Sequence, residues 1–439
     1  MLVQFKTQNY LSFHEEMTFS MVASSIHEHE DSNLYPVDKS LRLLKSAVVY
    51  GANSSGKSNL CKAMRFMRFF VINSSKERQA EEPIPVRNFR LNSECDNKPS
   101  SFEMVFIQEG IRYRYGFEAT GKYVSSEWLF RVVPKKRKEE MLFCRERQEF
   151  ELGKEYLKTK DITQRTRENA LFLSVDAQFN GLVSLAVLKW FRNLVVISGL
   201  EQRWDEAIAL ASNKTYVNDE FLPALKIIDD GIESIDIEKI DLDLDSAPEI
   251  MKQFLQTLKQ LSNSSAELPN ETFKINLMRR KYDAENHFVS VESFDLINEE
   301  SMGTQKYFGL LSPVLRALKN GQVLVVDELE SSLHPIMTRY LIQMFHAHAG
   351  TSLPAQLIFN THDTNLLNKN LFRRDQIWFT EKNRYGATDL YSLIEYKVRN
   401  DATFQKDYLE GRYGAVPFIG NVKAVQELCC DANGVTNGN

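Results

Sequence analysis

The stretch Ala47-Val48-Val49-Tyr50-Gly51-Ala52-Asn53-Ser54-Ser55-Gly56-Lys57-Ser58 decides the fold. Four residues suited to a strand run into G-x-x-x-x-G-K-S, the spacing of a phosphate-binding loop between a strand and a helix. Gly51 and Gly56 allow backbone conformations that a Cβ would obstruct, so successive N–H groups can point inward around a β-phosphate. Lys57 can reach the β- and γ-phosphates and Ser58 can offer a hydroxyl to Mg²⁺. The helix expected from Asn59 to about Val71 aims its N-terminal dipole at the same anion. The expected nucleotide-binding set from this loop is Gly51, Asn53, Ser54, Ser55, Gly56, Lys57, Ser58 and Asn59. The competing reading is a chance glycine-rich turn, and other segments weigh against it.

The first of these is Gln322-Val323-Leu324-Val325-Val326-Asp327-Glu328, an apolar run ending in two carboxylates. A buried parallel strand presents acids in this way at its C-terminal edge. Asp327 would hold Mg²⁺, directly or through water, and Glu328 would polarise an attacking water. Alone, the segment could equally be a strand closing in a solvated acidic turn. A third strand, Gln356 to Asn360, leads to Thr361-His362-Asp363, where the imidazole can sense a γ-phosphate; a lone histidine after a strand is more often structural. Upstream, Glu300-Ser301-Met302-Gly303-Thr304 precedes a helix expected from Tyr307 to Lys319. Ser301, Gly303, Thr304 and the helix start form a second, weaker anion site, or simply a start capped by Ser301.

These four segments, in this order, resemble ABC-type ATPases, specifically the SMC-like branch. The resemblance implies an α/β fold: an ABC-type P-loop NTPase head with an antiparallel β-subdomain and a helical insertion. It implies ATP and Mg²⁺ as cofactors, a D-loop at Leu329 to Pro335 and a switch histidine at His362. It also implies a homodimer in which Ser301 and Gly303 of one protomer contact the γ-phosphate held by Lys57 of the other, so that each ATP is sandwiched. The transporter-type signature L-S-G-G-Q is here Glu300 to Thr304, matching only at Ser301 and Gly303. Gln108 is the Q-loop candidate by order, although Val105 to Gly110 reads as a strand entering a hairpin turn. The opening Phe5 to Phe13 is similar to the F-x-x-x-N-[FY]-x-S-F start of these heads. Phe372 to Lys382 and Gly411 to Pro417 are similar to the end of an abortive-infection family related to the ATPase half of OLD (overcoming lysogenization defect) nucleases. Members of that family are often encoded beside an effector in anti-phage operons.

With 439 residues, 43% hydrophobic and 26% charged, the chain has the composition of an ordinary globular protein. A net charge of -5 argues against an overall basic surface but leaves a local patch open. The cysteines Cys61, Cys95, Cys144, Cys429 and Cys430 have no zinc-like spacing and read as reduced thiols. His27 and His29, beside Glu28 and Glu30, read as a polar loop rather than a metal site. Neither a leader nor a run of about 18 apolar residues occurs, which gives the expectation of a cytoplasmic protein without membrane insertion.

The expected organisation is a first lobe at 1–170 with the phosphate loop and antiparallel sheet, a mainly helical insertion at 171–272, and a second lobe at 273–420. The second lobe carries the signature, Walker B strand, D-loop and switch histidine; a disordered tail is expected at 421–439. No sustained heptads run through the insertion, so a compact element is expected rather than a long coiled coil. The alternating acidic stretch Ile235 to Asp245 suits an exposed strand. Pro134 to Lys138 with Arg145 and Arg147, and separately Arg279 to Tyr282, are either DNA contacts or solvated loops.

Three functions compete at this point. The first is a regulatory ATPase of an anti-phage, abortive-infection system, in which ATP-driven head-to-head assembly controls a separate nuclease or toxin in response to a phage-derived trigger. Because about twenty residues follow Phe418, too few for a nuclease domain, any toxic chemistry is expected on another chain. The second is a DNA repair or maintenance ATPase. The third is an ATP-binding scaffold with little turnover. Assembly beyond a dimer and direct DNA contact stay open.

Overall fold

The computed structural model describes residues 1–77, 79–133, 138–198, 214–241, 271–347, 353–398 and 403–417. The chain opens with β1 (Leu2–Gln8) and β2 (Met17–Ser20), then a short pair, β3 (Leu34–Pro36) and β4 (Arg42–Leu44). It continues into β5 (Ser46–Gly51), which is buried along its whole length, and through the phosphate loop into α1 (Lys57–Asn73). An antiparallel meander follows: β6 (Ser100–Gln108), β7 (Ile111–Ala119), β8 (Val124–Val132), β9 (Glu140–Glu146) and β10 (Glu149–Leu152). With β1 and β2 these strands form a seven-stranded sheet in the order β10-β9-β8-β7-β6-β1-β2. Its inner face follows from period-two alternation, which buries Phe102, Met104 and Phe106 on β6 against Tyr113, Tyr115 and Phe117 on β7. Glu109 and Gly110, at φ 52° and 77°, make the two-residue turn between these strands.

Two helices, α2 (Phe172–Gln178) and α3 (Leu182–Asn193), cover that sheet, and Trp190 stacks on Phe106 at 4.1 Å between ring centroids. The chain then enters β11 (Leu194–Ser198), a helical stretch at 214–226 and a three-stranded antiparallel sheet. That sheet consists of β12 (Ile232–Asp241), β13 (Glu271–Tyr282) and β14 (Phe288–Asp295). The remaining elements are α4 (Met302–Asn320), β15 (Val323–Asp327), α5 (Pro335–Ala347), β16 (Gln356–Asn360), β17 (Ile377–Lys382), β18 (Thr388–Ser392) and α6 (Phe404–Leu409).

The central sheet has the order β11-β15-β16-β5-β17-β18 and is parallel apart from β18. Its strands read as continuous apolar runs because both faces are covered. Val49, Val323, Val325 and Ile358 face the core shared with α1 and the antiparallel sheet. Val48, Tyr50, Leu324, Val326, Leu357 and Phe359 face the core built with α4 and α5. Buried Gln356 ties the sheets together: its side chain accepts from the Leu2 N–H at 2.6 Å and donates to the carbonyls of Leu2 at 3.1 Å and Leu44 at 3.0 Å. The parallel order places the ends of β5, β15 and β16 on one edge, the position for a ligand site in an open α/β sheet.

The stretch 171–272, expected to be a mainly helical insertion, contributes β11 to the central sheet beside β15 and β12 to the three-stranded sheet. β12 is an edge strand, and Leu242 to Asp245 lie outside the described residues, as does the tail 421–439. Among the described residues no helix is long and apolar enough to cross a membrane.

Candidate functional site

The phosphate loop is held open by residues distant in sequence. Gly56 sits at φ 114° and Ser54 at φ 63°, so the backbone reverses where a cradle needs it to. A Cβ on Gly56 would run into Thr388, and one on Gly51 would run into the Thr380 carbonyl. Thr388 Oγ1 donates to the Ser55 carbonyl at 2.8 Å and shares a 2.8 Å hydrogen bond with Ser12 Oγ, while Asn59 Nδ2 donates to Ser12 Oγ at 2.7 Å. Ser55 Oγ shares a 2.7 Å hydrogen bond with Thr380 Oγ1. Asn9, from the same opening segment as Ser12, donates to the Lys98 carbonyl at 2.9 Å and accepts from the Phe89 N–H at 3.0 Å, fixing the following loop. Asn53 and Ser54 stay exposed at the mouth, and Ser58 and Asn59 are half-buried on the first turn of α1.

Lys57 folds back into this loop. Its Nζ donates to the carbonyls of Gly51 at 2.7 Å and Ala52 at 3.0 Å. Burial lowers its amine to about 8, opposed by the charges of Glu330, Glu328 and Asp327. An incoming phosphate would replace these carbonyls as partner and favour the cationic amine further.

The acids stand across the cradle. Asp327 ends β15, and its Oδ1 accepts from Nδ2 of Asn360, the last residue of β16. The same Asn360 accepts the Glu328 N–H through Oδ1 at 2.6 Å. One buried amide therefore orients the Asp327 carboxylate and the backbone of the next residue. Glu328 takes φ 59°, a left-handed conformation that costs a non-glycine residue energy and tends to occur at functional sites. Beyond it, Glu330 Oε1 accepts the His362 N–H at 2.6 Å, linking the turn after β15 to the segment after β16. His362 stands exposed at the rim; desolvation and then the Lys57 charge lower its pKa below the ordinary 6.5. Tyr50, immediately before the phosphate loop, donates to the Asp363 carbonyl at 3.1 Å.

Ser301 caps α4: its Oγ accepts from the Thr304 N–H at 3.1 Å and lies 2.9 Å from Thr304 Oγ1. Ser301 is exposed to solvent, Gly303 is partly buried, and Met302 is 71% exposed. A Cβ on Gly303 would come within 3.2 Å of the Ser332 carbonyl, so the start of α4 lies against the turn after β15. A cleft of about 350 Å³ opens here, with Leu225, Ile232, Tyr307 and Met337 on its apolar side and Ser301, Thr304 and His334 on its polar side.

Other candidates have different roles. Gln108 closes β6, where its Nε2 donates to Glu109 at 3.3 Å across the hairpin turn. Arg145, grouped with a basic stretch by sequence, is buried and paired with Glu127 at 3.4 Å, so it cannot contact DNA. Arg279 pairs with Asp229 at 2.7 Å and Glu300 at 2.7 Å, Arg280 with Glu233 at 2.6 Å, and Lys281 with Glu292 at 2.5 Å. That stretch is charge-compensated rather than a phosphate-binding patch. Lys135, Lys136 and Arg137 lie outside the described residues. The supporting residues Ser12, Asn360, Thr380 and Thr388 were not among those expected from sequence. Their only advance signal was Asn9 and Ser12 in the opening motif.

A phosphate loop closing β5, acids closing β15, a histidine following β16 and an antiparallel sheet packed beside the core define a P-loop ATPase of the SMC-like ABC type. Residues 46–368 match the family described as "AAA domain, putative AbiEii toxin, Type IV TA system", and the chain belongs to that family. Among solved structures it is similar to the SMC head domain from Thermotoga maritima, with 13% identity, a TM-score of 0.39, and coverage of 89% of this chain and 98% of that one. It is also similar to an SmcHead bound to the C-winged helix domain of ScpA, with 12% identity, a TM-score of 0.37, and coverage of 89% and 97%. A third is the Smc head domain bound to the C-terminal domain of ScpA derived from Pyrococcus furiosus, with 10% identity, a TM-score of 0.35, and coverage of 94% and 98%. No curated protein matches the sequence.

Proposed function

We propose that this chain is the ATP-binding and hydrolysing regulatory subunit of an abortive-infection defence system, and that ATP-dependent head-to-head assembly controls a separate effector, a nuclease or toxin. The observation that carries the ATP chemistry is the convergence of Lys57, Asp327, Glu328, Glu330 and His362 on one sheet edge. Family membership and the exposed signature start support the regulatory part.

In this reading the N–H groups from Asn53 to Ser58 and the Lys57 amine hold the phosphates, and Gly51 and Gly56 let the loop pack against Thr380 and Thr388 in the conformation the cradle needs. The Ser58 hydroxyl and the Asp327 carboxylate are hard oxygen donors that fit Mg²⁺. Bound there, the ion would neutralise charge developing on the phosphates. Glu328 accepts a hydrogen bond from the attacking water and polarises it. His362 meets the γ-phosphate as a neutral imidazole, because its pKa is depressed. Ser301, Gly303 and Thr304 of a partner protomer complete each site, which makes hydrolysis a readout of assembly.

The test is affinity capture of tagged Glu328→Gln protein, expressed from its native locus, with ATP and Mg²⁺ present. Recovery of a neighbouring nuclease or toxin-like chain is expected. Recovery of DNA alone would overturn the effector reading in favour of DNA maintenance, and an unchanged hydrolysis rate in the purified variant would remove Glu328 from the mechanism.

A further inference from the structure

Lys306 lies on the second turn of α4, just beyond the Ser301 cap. Its side chain is half-buried, and its Nζ, sealed from solvent, makes no hydrogen bond among the described residues. The charges facing it are Glu330 and Glu328. Glu330 presents a matching feature: Oε1 is taken by the His362 N–H, while Oε2 is buried and makes no hydrogen bond. An amine and a carboxylate oxygen, each buried without a hydrogen bond and within reach of each other's charge, thus lie on two segments that approach closely at Gly303 and Ser332.

Leaving a lysine amine buried without a hydrogen bond is costly. Burial pulls this one to about 8 while the Glu330 and Glu328 charges push it back up. A packing role alone would be served at lower cost by methionine or leucine. What an ammonium adds is attraction to whichever carboxylate it approaches, an attraction that varies steeply with small movements of α4.

We propose that Lys306 is a positioning residue that ties the signature helix to Glu328 and Glu330 of its own chain, so that docking of a partner's nucleotide on Ser301 and Gly303 is transmitted to the carboxylate that polarises water. This rests on the reading of Glu328 as the hydrolytic base and of the signature as completing a second protomer's site. Lys306 does not touch the phosphates. It sets where Glu328 stands once α4 is engaged, so it acts on turnover rather than on nucleotide affinity.

The experiment compares wild type, Lys306→Met, Lys306→Arg and Glu328→Gln for steady-state ATP hydrolysis, binding of a fluorescent ATP analogue, and thermal unfolding. Lys306→Met should keep analogue affinity within about 2-fold and lose about 10-fold or more in kcat with little change in KM, and Lys306→Arg should recover most of that loss. Lys306→Gln replaces the methionine variant should the latter aggregate. Unchanged kcat in Lys306→Met, or a loss that arginine does not rescue, overturns the proposal. If Glu328→Gln loses hydrolysis while Lys306→Met does not, only the role of Lys306 fails. If Glu328→Gln turns over normally, the reading of the base fails and the proposal with it.

Discussion

Asn360 shows how much of the site depends on a residue with no chemistry of its own. Its single amide meets both Asp327 and the Glu328 backbone, and it is 1% exposed. Asn360→Ala should leave binding of a fluorescent ATP analogue near normal, lower kcat by about 10- to 100-fold and raise the Mg²⁺ concentration needed for half-maximal rate. A rate unchanged across a Mg²⁺ titration would show that the amide positions nothing. Gly56→Ala should act differently. The new methyl meets Thr388 at a φ of 114°, adding about 1–3 kcal/mol of strain, so nucleotide binding itself should be lost in a calorimetric titration. His362 supplies a pH test. Its lowered pKa keeps the imidazole neutral at pH 7, so hydrolysis should hold down to the ordinary value of 6.5 and fall below it as the ring protonates. Replacing His362 by Gln should remove that acid limb from the pH–rate profile. The loop, the acids and the histidine were legible because each follows a strand in a recognisable local pattern. Asn360, Ser12 and Thr388 were not: Thr388 reaches Ser12 across a sequence separation of 376, and no local pattern encodes such a contact.

Elements were legible where periodicity is unambiguous and illegible where a short apolar run follows another. The hairpin β6 to β7 reads directly from alternation around Glu109-Gly110. β11 does not, because its five residues directly follow the apolar helix α3, and a buried strand that short carries no period to separate it from helix. Its identity is settled by parallel pairing from Leu194–Val323 to Ser198–Asp327, which exists only once the central sheet forms. The antiparallel sheet is in turn locked to α2 by a buried carboxylate. Glu127 accepts the N–H groups of Phe172 at 2.7 Å and Leu173 at 3.0 Å and the Tyr115 hydroxyl at 2.9 Å, while Arg145 faces it at 3.4 Å. Burial raises the Glu127 pKa, and Arg145, the two N–H groups and the Tyr115 hydroxyl oppose that rise. Glu127→Ala should strand Arg145 in the core and cost about 3–5 kcal/mol in a denaturant melt. A loss under about 1 kcal/mol would mean the helix start and the arginine find other partners.

At the scale of the whole molecule, the two halves of the nucleotide chemistry lie on surfaces of different character. The cradle around Lys57 is enclosed by β5, α1 and the threonines of β17 and β18, whereas the signature start projects Ser301 and Met302 outward. Among the described residues Ser301 does no more than cap its own helix, and in the proposed assembly a second copy would supply the nucleotide it meets. Closure would bring two phosphate-filled cradles against two helix N-termini, pairing anion with dipole twice, and only when nucleotide is present. The expectation is that Glu328→Gln protein is monomeric without nucleotide and doubles in mass by light scattering with ATP and Mg²⁺, because binding persists while hydrolysis does not. Ser301→Arg should abolish both the mass change and wild-type turnover while leaving the affinity of the isolated cradle intact, since the substitution lies at the start of the helix proposed to meet a second copy and not among the residues around Lys57. ATP-independent dimers, or full hydrolysis by Ser301→Arg at dilutions where only monomer exists, would show instead that each head completes its own site and that α4 serves a surface other than the sandwich.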